Sequence, residues 1–323
     1  MKKIGFVCAA VLMACGGNGD TNIDGGGGDT GTGGDTSTGN DTGTGNDTGT
    51  GNDSGKGDGS TFNVANVSGL VLWLEGDLSS SITTQTPDGG TPKVTQWTDQ
   101  TSHHNDAKGV PQNPNRNPSV KAAAINGLSA MHFTQGNGNA QANMLTIIDN
   151  TDASLQWGTG DFFIAIVGDF DNDPTKGQAL GVGNFFSKAS AGGNPITGPS
   201  VYGNIPSAQT NPSLGLIFLT QTTVNNFAST ATAYNTGAAH VFAVRRQSNA
   251  LDLFVDGVSV ANTTSGGIDV SNIGTVVRIG ADGDANTLKL DGDIGEIIAV
   301  KGVLAPSDQT GIESYLKTKW ATP

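Results

Sequence analysis

The segment from Leu251 to Trp320 constrains the fold more than any other part of the chain. It contains two alternating apolar runs joined by Asp256-Gly257, and an Asp-Gly pair between such runs is a strong signal for a tight β-hairpin. Two more short apolar runs follow, and the segment ends in one amphipathic stretch. Successive strands closed by a single helix predict an antiparallel β-sandwich.

Short apolar runs recur along the preceding two hundred residues, separated by clusters of Gly, Asn, Asp, Pro and Thr. Some, such as Phe162–Val167, are apolar on both faces, which is typical of strands in the middle of stacked sheets. No second domain boundary is visible. We therefore predict one all-β, antiparallel, two-sheet jelly-roll sandwich. The predicted strands are Leu70–Leu74, Ala130–Phe133, Phe162–Val167, Leu214–Leu219, Val241–Val244, Leu251–Val255, Val276–Ile279, Leu288–Leu290 and Ile294–Val300.

One helix is predicted after Pro306. Ser307 is expected to be its N-cap, and Asp308 suits the positive end of the helix dipole. A stripe at helical spacing should seal the sandwich, and it comprises Ile312, Tyr315, Leu316 and Trp320.

The N-terminus has the features of an export signal. Lys2 and Lys3 precede a short apolar run, so residues 1–14 are predicted to be a signal peptide rather than a membrane span. The tetrad that ends in Cys15 resembles a bacterial lipobox, in which the cysteine carries lipid. By analogy with such lipoproteins, an Asp directly after the cysteine would indicate retention at the inner membrane. Gly16 occupies that position here, so we expect an outer-membrane or cell-surface lipoprotein. Ordinary secretion with an incidental cysteine is the alternative.

Residues 15–60 are predicted to form a disordered tether. From residue 16 onward this segment holds 18 Gly and 8 Asp, with one large aliphatic residue, Ile23. Without apolar surface to bury, the entropy cost of ordering cannot be offset. The hexamer GNDTGT occurs twice from Gly39 and decays to GNDSGK at residues 51–56. A calcium-binding repeat array is the alternative, but the hexamer lacks an apolar residue for stacking.

Cysteine usage and charge narrow the function of the domain at residues 61–323. The two cysteines are Cys8 and Cys15, so the domain has no disulfide or thiolate metal site. The chain carries a net charge of −13, of which the domain contributes about −8. This excess of acid argues against nucleic acid or anionic lipid as a partner.

A series of motifs in order resembles the bacterial laminin-G-like domains of the concanavalin A-like lectin/glucanase superfamily. The resemblance covers roughly Val67 to Trp320. It implies a jelly roll that usually serves binding or adhesion at a surface, although some relatives cleave polysaccharides. The motifs are Leu72-Trp73-Leu74-Glu75, Val94-x-x-Trp97-x-Asp99-x-x-Ser102, Asn126-Gly127-Leu128, Phe186-Ser187-Lys188, Val255-Asp256-Gly257, Arg278-Ile279-Gly280, Gly292-Asp293-Ile294-Gly295-Glu296 and Tyr315-Leu316-x-x-Lys319-Trp320.

A catalytic alternative depends on Asp291, Asp293 and Glu296. The laminarinase-type hydrolases of the same superfamily carry a Glu-x-Asp-x-x-Glu strand that this segment resembles, with Asp291 in place of the first Glu. In a regular strand Glu296 would face away from both aspartates, so a bulge would be needed to bring it round. We favour a structural role, in which Glu296 points toward a donor such as Arg245 or Arg278, and predict no enzymatic activity.

Calcium is the cofactor that the resemblance makes plausible, because laminin-G-like domains often bind one ion at the rim with carboxylates and carbonyls. The two candidate loops contain Asp169, Asp171 and Asp173, and Asp282 and Asp284. The stretch from Asp99 to Asp106 is a third acidic loop. The alternative is that these residues only make turns.

Candidate platforms for sugar stacking are aromatic residues in a loop-like context. Trp73, Trp97 and Trp320 are expected to be core residues. The candidate platforms are Trp157, Tyr202, Phe227 and Tyr234. His103, His104, His132 and His240 lack the paired spacing of a zinc motif.

The leading hypothesis is a surface-anchored, non-catalytic module that recognises glycans or surface proteins, with possible assistance from calcium. A polysaccharide-cleaving enzyme and a purely structural envelope protein are the alternatives.

Overall fold

The computed structural model describes most of the sandwich. The described residues are 62–87, 90–135, 143–148, 153–171, 183–189, 198–204, 213–218, 226–229, 234, 237–264, 267–282 and 289–323. All of them belong to one compact unit, Gly59–Pro323. The signal peptide, Cys15, the tether, Asp173 and Asp284 lie outside the described residues.

The described part of the chain contains seventeen strands, three short 3-10 helices at Val64–Asn66, Ser79–Ser81 and Pro114–Arg116, and one α-helix, α1, at Pro306–Trp320. The strands are β1 (Leu70–Glu75), β2 (Ile82–Gln85), β3 (Lys93–Trp97), β4 (Ala107–Lys108), β5 (Ser119–Ile125), β6 (Leu128–Phe133), β7 (Leu145–Ile147), β8 (Phe162–Gly168), β9 (Gly183–Ser187), β10 (Ser200–Asn204), β11 (Ser213–Phe218), β12 (Asn226–Ser229), β13 (His240–Gln247), β14 (Ala250–Val255), β15 (Val258–Thr264), β16 (Val277–Ile279) and β17 (Gly292–Lys301).

The described strands form two antiparallel sheets. Sheet A has the order β15-β14-β13-β8-β17-β6-β5, and β1 also pairs with β17. Sheet B has the order β12-β11-β10-β9-β16-β7-β4-β3-β2. The two-sheet jelly-roll sandwich with a C-terminal helix is therefore confirmed. The strands that the sequence did not predict include the short, partly polar β2, β4 and β7. Conversely, a strand was predicted at Leu288–Leu290, but Lys289 and Leu290 lie outside any strand.

Apolar side chains form two layers. The inner core lies between the sheets and includes Trp97, Phe133 and Phe185. The outer core lies between sheet A and α1, where Phe163 and Ile298 pack with Trp320. Sheet A is thus covered on both faces, which explains why every residue of β8 is buried.

The Asp-Gly hairpin is confirmed. Asp256 and Gly257 have φ angles of 53° and 80° and connect β14 to β15, with Val255 opposite Val258. Two successive positive φ angles are the requirement of a type I′ turn, which glycine and aspartate tolerate.

Helix α1 is also confirmed, with one correction. The helix begins at Pro306, the cap position is Ala305, and no side chain caps the N-terminus. The predicted cap, Ser307, lies inside the first turn, because proline is well suited to the first helical position. Ile312, Leu316 and Trp320 are buried as predicted.

Candidate functional site

A bulge in the closing strand β17 decides where its carboxylates lie. Ile294 and Ile297 both face the inner core, and the register shifts between Ile294 and Glu296. Gly295 is the extra residue, so Asp293 and Glu296 both face the outer side of sheet A. A Cβ at position 295 would lie 2.9 Å from two atoms of the Trp320 ring, and this contact requires glycine.

Glu296 lies in a closed polar cluster beneath α1. Its side chain is fully buried, and it accepts hydrogen bonds from Trp73 Nε1 at 2.7 Å, Trp320 Nε1 at 2.9 Å and Lys319 Nζ at 3.0 Å. The predicted partners Arg245 and Arg278 are not the donors. Arg245 lies on the same outer face but donates to Asp252 and Gln309 instead, whereas Arg278 belongs to β16 of the other sheet.

Lys319 balances three carboxylates. Its ammonium lies 2.5 Å from Glu75, 2.8 Å from Asp77 and 3.0 Å from Glu296. We call these four residues the Lys319 cluster. Burial lowers the pKa of Lys319, but the three carboxylates outweigh it and raise that pKa, so the ammonium stays charged. Burial raises the pKa of Glu296, and the ammonium and the hydrogen bonds oppose that shift. The cluster joins helix to sheet.

Asp293 is also paired. It is 1% exposed and accepts a hydrogen bond from Lys121 Nζ at 2.6 Å, and His132 Nδ1 lies 2.7 Å from its other oxygen. Burial pushes the pKa of Asp293 upward, but the contacts with His132 and Lys121 outweigh it and hold that pKa below its ordinary value. The sequence did not indicate these partners, because they lie about 160 and 170 residues away.

The structure brings together two pairs of aspartates that the sequence analysis assigned to different sites. Asp169 and Asp171 belong to a candidate calcium loop, and Asp291 and Asp293 belong to the catalytic alternative. Asp169 follows β8, and its Oδ1 accepts the Asp293 backbone N–H at 2.8 Å. The Asp171 backbone N–H donates to the Asp291 carbonyl at 2.8 Å. Burial and the nearby charge of Asp293 raise the pKa of Asp169 to about 6. The four aspartates therefore share one rim of the sandwich.

Among the described residues, one acidic trio has ligand atoms within 4.8 Å of one another, and it comprises Glu75, Asp77 and Glu296. The Lys319 ammonium already lies among them, so a second cation does not fit there. Asp169, Asp171 and Asp282 do not form such a trio, and the third acidic loop is closed by its own hydrogen bonds to Asp99. Calcium binding stays a prediction.

The candidate aromatic platforms were expected in open loops, but the structure places them in the core or in strands. Trp157 and Tyr234 belong to the inner core, with Trp157 packed against Phe162. Tyr202 is 6% exposed and lies in β10, while Phe227 lies in β12 rather than in a loop. The rings of Trp157, Tyr202 and Tyr234 are thus buried by packing and do not form an open stacking surface.

The outer face of sheet B carries a different feature, a line of side chains from seven adjacent strands. Each member lies directly opposite the next, so all of them point to the same face. Their chain neighbours, such as Trp97, Leu145 and Val277, face the inner core. We call this line the polar row, and in order across the sheet it comprises Thr83, Gln96, Lys108, Thr146, Arg278, Ser187 and Ser200.

The polar row is open at one end and covered at the other. Thr83 and Lys108 are exposed, and Gln96, Thr146 and Arg278 are half-buried. Ser187 and Ser200 are buried. The five open members therefore form a surface strip, and sequence alternation within β3, β7 and β16 is the signal that could have revealed it.

A small cavity of about 150 Å³ adjoins the open part of the polar row. His104, Asp106, Lys108 and Ile148 line it, and Ile148 is 66% exposed. Gln96 Nε2 donates to Asp106 at 3.1 Å, which orients the carboxylate. The site thus combines an exposed cation, a carboxylate, further hydrogen-bonding groups and one apolar contact.

Comparisons with known proteins support the fold. No protein-family model and no curated protein sequence matches the chain. The chain is similar to many solved structures, and these include the following three. The binding domain of Paraclostridial Mosquitocidal Protein 1 has a TM-score of 0.53 at 8% identity, covering 81% of this chain and 56% of that one. The receptor binding domain of botulinum neurotoxin mosaic serotype C/D has a TM-score of 0.52 at 10% identity, covering 81% and 55%.

The third structure is Domain 4 of AbnA, an extracellular arabinanase from Geobacillus stearothermophilus, in complex with arabinotriose. Its TM-score is 0.50 at 12% identity, and the match covers 76% of this chain and 99% of that domain. This chain spans about half the length of the two toxin domains that it matches. At these identities the likeness establishes a shared β-sandwich fold, and function must be argued from the site.

Proposed function

We propose that the protein is a non-catalytic binding module that recognises a glycan or a cell-surface protein. The observation that carries this proposal is the set of five open members of the polar row, with the adjoining cavity, on a sheet whose described side chains on the other face pack into the inner core. Structures of the same fold include toxin binding domains and a domain in complex with arabinotriose, which supports binding in general.

The buried carboxylates support a non-catalytic role over a polysaccharide-cleaving one. A retaining glycosidase needs two carboxyls about 5–5.5 Å apart that flank a substrate bond in an open site. Glu296 is fully buried and accepts three hydrogen bonds, and Asp293 is 1% exposed and paired with Lys121. With these contacts neither carboxylate has access to a substrate.

We further propose that the module is anchored at the outer membrane or cell surface through lipid on Cys15, with residues 15–60 as a tether. In the described part of the chain, no helix has the length and apolarity needed to cross a bilayer. Cys15→Ala should move the protein from the membrane fraction to the soluble fraction. An unchanged distribution would contradict the anchor.

A glycan array probed with the full chain, with and without a calcium chelator, tests the binding function. Selective binding is the expected result. If binding is lost with the chelator and restored by Ca²⁺, glycan recognition requires calcium. The candidate ligands are then Asp169, Asp171, Asp173, Asp282 and Asp284. Hydrolysis of a bound glycan would overturn the non-catalytic proposal. If the protein binds neither glycans nor intact cells, a structural envelope protein would be favoured.

A further inference from the structure

We propose that the cavity beside Lys108 binds one neutral sugar residue of a glycan, through two adjacent hydroxyl groups that meet Asp106 and Lys108. This inference rests on the proposed binding function and deepens it, because it names the ligand class and the residues that recognise it.

Strand alternation builds the cavity. Asp106 and Lys108 flank Ala107, whose side chain is buried in the inner core. Since side chains alternate along a strand, both charged groups point to the outer face of sheet B, with their Cα atoms roughly 7 Å apart. Lys108 lies opposite Thr146 in β7, and the same register continued places Ile148 opposite Asp106. An acceptor, a donor and an apolar side chain therefore face one cavity of about 150 Å³.

Asp106 is held in place before any ligand binds. Its two carboxylate oxygens accept one hydrogen bond each, from Gln96 Nε2 at 3.1 Å and from the Asp99 backbone N–H at 3.1 Å. Asp99 is itself 3% exposed, and its carboxylate accepts the backbone N–H groups of Trp73 and Asn105 at 2.9 Å. A carboxylate oxygen has two lone pairs, so each oxygen of Asp106 keeps one acceptor position for a ligand. A group fixed in advance loses little entropy on binding.

Lys108 supplies the matching donor. Its ammonium is exposed and forms neither a hydrogen bond nor an ion pair with any described residue. It is thus not paired with Asp106, although both groups line the same cavity. The charges of these two side chains offset one another, so the pair favours neither anions nor cations. A neutral ligand that lies between them can use both.

The pair selects hydroxyl groups. Asp106 only accepts hydrogen bonds and Lys108 only donates them, whereas a hydroxyl does both. Two adjacent sugar hydroxyls can therefore bond to both side chains at once, and both bonds are charge-assisted. The C–H face of the ring can pack on Ile148 and His104, which also line the cavity. A zwitterion such as an amino acid would match the same pair, but it would lose the hydration of two full charges for one partner each.

The size of the cavity limits the ligand to one ring. Pockets for drug-sized ligands have volumes of about 300–1,000 Å³, and this cavity has about 150 Å³. Two hydrogen bonds and a small apolar contact predict weak binding, with a Kd on the order of 1 mM for a single sugar. Because the two charges at the site offset one another, the affinity should change little with salt, unlike that of an anion held by lysines.

Titration calorimetry on the full chain tests this inference, with the neutral methyl glycosides of glucose, galactose, mannose and arabinose as probes. At least one of them should bind. Lys108→Met keeps the aliphatic stem and removes the donor, and it should weaken that binding by about tenfold or more. Asp106→Asn should have a similar effect. Lys301→Met is the matched control, since Lys301 is exposed on sheet A, and it should bind as the wild type does.

Four results would overturn the inference. They are binding of none of the four glycosides, equal loss in Lys108→Met and Lys301→Met, tighter binding of galacturonate or glycylglycine than of any neutral glycoside, and binding of Lys108→Met to the glycan array at wild-type strength. Each of them leaves the proposed binding function intact as long as the wild type binds the array or intact cells. Loss of both in the wild type would contradict the binding function itself.

Discussion

The outer faces of the two sheets differ in what covers them. Sheet A is closed by α1, and beneath the helix lie an apolar layer and the buried carboxylate of Glu296. Sheet B exposes the open half of the polar row, with polar residues outside and apolar residues inside. Two of the acidic residues that attract attention in the sequence, Asp293 and Glu296, thus belong to the closed face, where each is paired with a lysine.

This difference shows how burial changes the role of similar side chains. In the Lys319 cluster a carboxylate is held by three donors and cannot reach a ligand. On sheet B the Lys108 ammonium is exposed beside a cavity. Substitutions on the closed face should therefore change stability, and substitutions on the open face should change binding.

The largest expected effect is that of Glu296→Ala, because it leaves the buried indole N–H of Trp320 and the partly buried one of Trp73 without their acceptor and removes one partner of Lys319. We expect a loss of about 3–5 kcal/mol in the free energy of unfolding, measured with denaturant. Glu75→Gln is the matched control, since Glu75 binds the same ammonium but is partly exposed, and it should cost about 1 kcal/mol or less. Equal losses would show that burial does not set the strength of this cluster.

Gly295→Ala should be the next most destabilising change. The added methyl would lie 2.9 Å from the Trp320 ring, so the helix or the bulge must shift. Forcing extra volume into a packed site costs about 1–3 kcal/mol. Gly90→Ala, where the nearest atom would be 3.5 Å away, is the control. A Gly295→Ala protein as stable as the control would mean that α1 is not packed tightly on β17.

Asp169→Asn should increase stability at neutral pH. The pKa of Asp169 is raised from 3.8 to about 6 by burial and by the charge of Asp293, so the folded state binds a proton more tightly than the unfolded state does. Its contribution to stability is present below pH 3.8 and is lost as pH rises through 6. The variant should gain roughly 1–2 kcal/mol at pH 7, less than the full shift implies because the group is partly solvated. The gain should vanish below about pH 4, and a pH-independent gain would contradict this explanation.

The smallest effect on stability is expected for Thr146→Val on the open face. Surface substitutions of this kind usually change the free energy of unfolding by less than about 0.5 kcal/mol. The variant loses the weak 3.3 Å hydrogen bond to the Lys108 carbonyl and keeps its shape. A loss comparable to that of Gly295→Ala would mean that the polar row is structural and would remove the contrast between the two faces.

Much of the fold could be predicted from local sequence. The apolar run Phe162–Val167 predicted a strand buried on both faces, because no polar side chain there needs water. Asp256-Gly257 predicted its hairpin, because few residue pairs tolerate two positive φ angles. The short strands β2, β4 and β7 were missed, because two to four partly polar residues carry little periodic signal and are held in place by their neighbours in the sheet.

The candidate site was much less predictable. The sequence directed attention to Asp291, Asp293 and Glu296, yet the bulge at Gly295 and the docking of Trp320 decide that Glu296 is closed off. Likewise, Trp157 and Tyr234 have the residue type of a sugar platform but lie in the core. Exposure depends on what packs above a residue, and that is a property of the whole chain.

The sequence by itself determined the sandwich, the terminal helix and the apolar faces of its longer strands, because alternation, turn chemistry and helical spacing act over a few neighbouring positions. Only the tertiary structure aligned Gln96, Lys108, Thr146 and Arg278 on one face and enclosed Glu296 beneath α1. Those arrangements depend on strand order and register between segments up to about two hundred residues apart. No local pattern encodes such pairing, because it is selected by the burial of the sandwich as a whole.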